Sequence, residues 1–230
     1  LESEEKDLAN YKTGLETKHK IYVTAKQLFY EYGFVKTTLA DIAKASGTNK
    51  AMVAYYFNNK NNLALEVYNE YMVANKVKTQ KAIDEKYPGC NAVIKTAIEY
   101  RVQNRNCRLN RHLNQFYHEL CDTNILMKTE SASVGFVENI NRSYKLGLDR
   151  LEVKALALAN LAVVHGLHVS WGGGYLDCSS EYLAELEIRL LFQSLRFDND
   201  FIDQCIKESR GMIGAINLRV EKNFTVVVAA

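Results

Sequence analysis

The chain has 230 residues, a mass of 26.2 kDa and a formal charge of +2, with 47% apolar and 24% charged residues. These are globular proportions and exclude a disordered chain, while a near-neutral total excludes only a uniformly basic protein, because a nucleic-acid surface needs no more than a local patch. A single proline, Pro88, leaves room for long helices, since proline in a helix interior costs about 3 kcal/mol. Residues 1–16 are polar and weakly periodic, an arm or the start of the first helix. Over 17–32 the apolar positions Ile21, Ala25, Leu28, Phe29 and Tyr32 repeat at helical spacing, and Gly33 follows as a C-cap. Thr38 and Asp41 match a capping box for a short second helix that ends at Ala45, Ser46 and Gly47. A third helix is expected over 49–57, closed by Asn58 and Asn59, and a fourth from Lys60 through about Thr79.

Pro88-Gly89 is the clearest break. Val93 through Leu120 reads as one helix, or two with a kink near 104–106, and 130–148 as another. The stretch 155–176 carries no Asp, Glu, Lys or Arg and is long enough to span a bilayer. It also holds Asn160, His165, His168 and three consecutive glycines, so a buried helix of a soluble protein is the expectation. Helices over 180–197 and 199–213 follow, and the β-prone tail NFTVVVAA has no assigned place. The opening LESEEKDLAN is charged, unlike a secretory signal, and Cys90, Cys107, Cys121, Cys178 and Cys205 form no CxxC pair. Free thiols in a reducing cytoplasm are therefore expected.

The fold class expected is all-α. Its parts are an arm or helix extension (1–16), a three-helix helix-turn-helix domain (17–63, motif 38–57) and a helical effector-binding and dimerisation domain (64–230). In a helix-turn-helix the second helix of the pair enters the major groove. Lys50 and Lys60 both occupy the first turn of a helix, where a cation opposes the macrodipole unless an anion binds there. Between 17 and 60 seven lysines face only Glu31 and Asp41, a local charge of +5. A solvated lysine face is the plain alternative.

The stretch YGFVKTTLADIAKASGTNKAMVAYYFNNKNNL, with Gly33-Phe34, Thr37-Thr38, Asp41-Ile42-Ala43, Gly47, Lys50, Tyr56-Phe57, Lys60 and Leu63, closely resembles the DNA-binding head of the tetracycline-repressor (TetR) family. The resemblance covers about residues 17–63. It implies a homodimeric transcriptional regulator, a repressor released from a palindromic operator in double-stranded DNA by a small-molecule effector. The alternative is a DNA-bound adaptor without small-molecule control. Carried over by position, Thr38 and Lys60 look like phosphate contacts, Asn49 and Lys50 like groove contacts, and Tyr56 like a backbone clamp or a core aromatic. Tyr55 stands where the family often has His; Thr37, Thr48 and Met52 complete the expected DNA surface. Ala54, Thr48 and Met52 depart from the family's common residues and leave the operator sequence open.

Behind the head, 151–171 and 180–197 are the expected dimer helices. Phe116, Tyr117, Cys121, Phe136, Tyr144, His165, His168 and Trp171 are candidate effector-pocket residues, each with plain core as its alternative. Arg101, Arg105 and Arg108 follow helical spacing beside the apolar stripe; a solvated or internally paired face outweighs an anionic effector. His118/Cys121 and His165/His168 have i,i+3 spacing, too little for a metal site. No phosphate loop, nucleophile elbow or metalloprotease motif occurs, so neither an enzyme nor a cofactor is expected.

Overall fold

The computed structural model describes the backbone of residues 2–228 and the side chains of 12–127 and 133–228. Helix α1 (Glu2–Lys36) buries Ile21, Ala25 and Phe29 completely, and its regular course ends at Gly33, which takes φ 83°, ψ 175°. The polar first residues thus extend α1. Helices α2 (Leu39–Ala45) and α3 (Lys50–Phe57) follow, pressing Ile42, Ala43, Val53 and Phe57 onto α1. Asn59 caps α4 (Lys60–Lys86), which outruns its expected end and passes the 63/64 boundary without a break.

Asn110 ends α5 (Ala92–Leu109) and caps α6 (Arg111–Asp122), its side chain accepting from His112 N and Leu113 N. The break therefore falls at 110, not near 104–106. Asn104 and Asn106 lie inside α5, buried and bonded to Glu187 and Asn75 across to other helices. Then come α7 (Glu130–Tyr144), α8 (Arg150–Gly172), α9 (Ser180–Ser194) and α10 (Asn199–Met212). Helix α8 opens on an Asp149–Glu152 capping box, and α9 and α10 are capped by Ser179 and Asp198. The fold class is all-α, with one small addition.

That addition is the tail. Strands β1 (Leu218–Glu221) and β2 (Thr225–Val228) form an antiparallel hairpin, pairing Leu218 with Val228 and Glu221 with Thr225. Two four-residue strands give too short an alternation to stand out in sequence. The hairpin packs on α1, α4 and α5, and Phe224 in its turn is buried against Phe116 (ring centroids 4.8 Å) and Tyr30 (5.1 Å).

Helix α8 corrects an expectation. It is long and apolar enough to cross a membrane, yet its own chain buries only Val153, Ala157 and His168 fully. It packs against α6, α7 and α9 on one side, while Leu151, Ala155, Leu158, Ala159, Ala162, Val163 and Gly166 form an exposed stripe on the other. The chain thus covers one face of this apolar helix and leaves the other bare.

Candidate nucleic-acid interface and internal cavity

The head is built by reciprocal caps. Thr38 N donates to Asp41 Oδ2 (2.9 Å) and Asp41 N to Thr38 Oγ1 (3.2 Å), fixing the start of α2. The Thr38 hydroxyl donates to the same carboxylate, and these bonds hold the Asp41 carboxyl below its ordinary range. Ser46 turns inward and donates to Ile42 O (2.7 Å); Gly47 takes φ +63° to make the turn. Asn49 Oδ1 then accepts from Met52 N (2.9 Å) at the start of α3.

These turns leave Thr38, Asn49 and Lys50 exposed, with Tyr55 78% exposed beside them. Thr48 and Met52 are half-buried, and the Thr48 hydroxyl lies 2.9 Å from that of Ser46. Tyr56 is also half-buried, packed on the core, with its hydroxyl beside Gly14 of α1. Both readings of Tyr56 thus have a physical basis, the ring for packing and the hydroxyl at the rim.

Two expected contacts have other duties. Thr37 is buried, and its hydroxyl donates to Gly33 O (2.7 Å), so it presents nothing to a duplex. Lys60 turns back into the head: Nζ donates to Phe34 O (2.9 Å) and Thr37 O (3.0 Å) and sits 4.0 Å from the Phe34 ring centroid. Burial pulls its pKa down. Two of its three protons are taken, closing the frayed end of α1 rather than waiting for a phosphate.

The second feature is a cavity of about 430 Å³ among α4, α5, α6, α7, α8 and α9. Of the expected pocket residues, Tyr117, Phe136, His165 and His168 line it. Phe116, Cys121, Tyr144 and Trp171 do not. Phe116 is sandwiched between Phe29 (5.5 Å) and Phe224. Cys121 is a buried thiol, and burial pushes its pKa up to about 12. Tyr144 donates to Asn91 Oδ1 (2.9 Å) and packs edge-on against Phe197. Trp171 Nε1 donates to Cys178 O (3.0 Å).

Sequence reading missed Tyr68, Glu99, Tyr100, Asn104 and Glu187 in this wall. The available signal was polar residues inside otherwise apolar helical stripes, Asn104 on α5 and Glu187 on α9, each 1% exposed. Asn104 Nδ2 donates to Glu187 Oε2 (2.7 Å), and His168 Nε2 lies 2.8 Å from Glu187 Oε1. Burial lowers the pKa of His165.

The arginine face is internally satisfied. Arg101 reaches Ser209 Oγ (3.0 Å), Ile206 O (3.0 Å) and Glu185 (3.1 Å), and Arg105 reaches the carbonyls of Ile213 and Ile216.

Helix α6 joins cavity to head. Tyr117 faces the cavity, while its neighbour Phe116 stacks on Phe29 of α1. Flanking these two, Gln115 Nε2 donates to Tyr32 O (3.3 Å) and Glu119 Oε2 accepts from Val35 N (2.8 Å). A shift of α6 therefore reaches the head through three contacts.

The family model described as bacterial regulatory proteins, tetR family, matches residues 21–67. The chain is 27% identical over 170 residues to the probable HTH-type transcriptional regulator ArpR of Pseudomonas putida, covering 68% of this chain and 80% of that one. It is 26% identical over 170 residues to the HTH-type transcriptional regulator TtgR, also of Pseudomonas putida, with the same coverage. It is 28% identical over 171 residues to QacR of Staphylococcus aureus, covering 56% of this chain and 91% of that one.

Proposed function

We propose that the chain is a DNA-binding transcriptional regulator of the TetR family and not an enzyme, on the strength of a head that matches the family model over residues 21–67 and of its similarity to two such regulators, and that it acts as a cytoplasmic, homodimeric repressor released from a palindromic operator by a small molecule. One observation carries the ligand-controlled part: α6 forms a wall of the cavity and also buttresses the C-terminal end of α1. A ligand that moves Tyr117 shifts the balance between head positions by its differential affinity for them. The cavity, with polar groups converging on it, favours this over the adaptor reading.

The proposed DNA surface is Thr38, Asn49, Lys50 and Tyr55, with Thr48, Met52 and Tyr56 at its margin. Lys50 heads α3 with no ion-pair partner among the described residues. Band shifts against genomic fragments test the reading: a specific shift is expected, released by a cell extract or a compound library. Within that assay Lys50→Ala is expected to weaken binding and, if the amine sits on phosphate, to flatten the log K against log salt slope by about 1. An unchanged affinity and slope would remove Lys50 from the interface.

The proposed partner of the bare α8 stripe is a second copy of this chain. The stripe runs at i, i+4, i+7, i+8, i+11, i+12 and i+15 from Leu151, beside exposed Tyr182 and Leu190 of α9. Small residues at 155, 159, 162 and 166 permit close approach of helices. Sedimentation should give twice 26.2 kDa. Leu158→Arg should lower it to a single chain and weaken operator binding, because a lone head makes too few contacts. A Leu158→Arg protein that stays dimeric would put the interface elsewhere.

A further inference from the structure

The cavity's inner end is specific about what it accepts. Glu187 is 1% exposed and receives one full hydrogen bond, from Asn104. The orientation of Asn104 is not free: Nδ2 also donates to Tyr100 O (3.1 Å), so its oxygen is the atom left over, buried and without a partner. His168 Nε2 lies 2.8 Å from Glu187 Oε1, and its Nδ1 is buried without a hydrogen-bond partner. The Glu187 carboxyl and the unpartnered Asn104 Oδ1 thus stand side by side in the cavity wall. Unmet buried polar atoms are costly, and a ligand that supplies donors recovers that cost.

The side walls have the matching character. Tyr68 and Tyr117 stack nearly parallel (9° apart), and Tyr100 and Phe136 add further ring faces. Ring faces are electronegative and attract cations. The protein already uses one this way, since Lys76 Nζ sits 5.5 Å from the Phe136 ring centroid. Lys76 and Glu99 both line the cavity and offset each other there, and Glu187, beside Asn104 and His168, is the acidic group farther in.

We propose that the effector is a flat, largely apolar amine, bound as its ammonium ion with the N–H groups on Glu187 and Asn104 Oδ1 and its hydrocarbon part against the aromatic rings that line the cavity. The inference rests on the cavity being the effector site. A volume of about 430 Å³ suits a molecule of two or three fused rings.

A matched trio of probes tests it: 9-(aminomethyl)anthracene, 9-anthracenemethanol and 9-anthracenecarboxylate, titrated calorimetrically into the intact protein at pH 7. The amine is expected to bind about tenfold or more tighter than the alcohol, with the carboxylate weakest, as a charge-assisted bond predicts. Glu187→Gln should abolish the preference for amine over alcohol while leaving alcohol binding in place. Glu85→Gln, a change at an exposed carboxylate of α4 outside the cavity lining, should leave that preference within about threefold. If all three probes bind alike, or if the preference survives Glu187→Gln in a folded protein, the amine assignment fails while the cavity stands. If none binds, the assignment fails together with the reading of the cavity as a ligand site.

Discussion

Replacing Gly33 with alanine is expected to destabilise the protein by about 1–3 kcal/mol and to loosen the head from the body. At φ 83°, ψ 175° the residue sits in a region open to glycine and closed to residues with a Cβ. The conformation is required because α1 must end there to let Phe34 turn back under the Phe29 ring (6.0 Å) and Thr37 reach the Gly33 carbonyl. A second penalty is steric: a Cβ at 33 would lie 2.5 Å from Gln115 Nε2 and 2.6 Å from Glu119 Oε2. Those are the ends of flexible side chains, so the steric part can relax, but only by giving up the bonds that tie α6 to α1. Urea unfolding separates the two parts. Gly33→Ala combined with Gln115→Ala should recover little, because the backbone penalty remains. A Gly33→Ala protein as stable as its parent, with unchanged DNA affinity, would show that this corner neither strains nor couples.

The coupling follows from ordinary packing. Tyr117, Phe116 and Glu119 sit within one helical turn of α6, facing the cavity, the α1 core and the α1 terminus in succession. Closely packed interiors do not absorb displacements of an ångström, so they pass them on. Lys60 belongs to the same corner. Its ammonium closes on the carbonyls of Phe34 and Thr37, and α4, which it heads, runs on to supply Tyr68 to the cavity wall. The lysine that sequence reading assigns to phosphate thus ties the start of α4 to the end of α1.

The head was legible because its determinants are local. Capping residues, a left-handed glycine and the spacing of Ile42, Val53 and Phe57 all act within a few residues, and local rules survive the absence of tertiary information. Thr37 and Lys60 misled because a polar side chain beside a helix start reads the same whether it faces solvent or folds back on a neighbouring carbonyl. The cavity was half legible. Aromatic and histidine content pointed to Tyr117, Phe136, His165 and His168, but membership depends on which of six helices turns which face inward. Phe116 and Tyr117 are adjacent in sequence and serve different compartments, which no periodicity count on one helix can reveal. Glu187 was invisible for a related reason: a carboxylate in a helical stripe is normally solvated, and only its partners on α5 and α8 show otherwise. The bareness of α8 is the converse case, since hydrophobicity states that a face must be covered without stating by what.

Phe224→Ala is expected to be the most damaging of these single changes, costing about 3–5 kcal/mol, the usual range for emptying a buried phenylalanine site. Total stabilities of such domains are about 5–15 kcal/mol, so about a fifth or more of the folding free energy hangs on one residue in the hairpin turn. The position explains the size. Phe224 is 2% exposed and fills the space between Phe116 of α6 and Tyr30 of α1. Its hairpin is held by three long polar side chains of the helices, each donating to a backbone carbonyl: Arg105 to Ile216, Asn110 to Val220 and Lys78 to Val226. A two-stranded hairpin is marginal by itself, so without its aromatic anchor it should detach and leave those donors half-buried and unpaired. Thermal or urea unfolding measures the loss. Phe224→Leu, which keeps most of the volume, should cost clearly less. A cycle with Phe116→Leu should show coupling of about 0.5 kcal/mol or more, because the two rings share one site. A loss below about 1 kcal/mol for Phe224→Ala would mean the site collapses without penalty, and the tail would then be an ornament on the helices instead of the clasp that fastens α1 to the body.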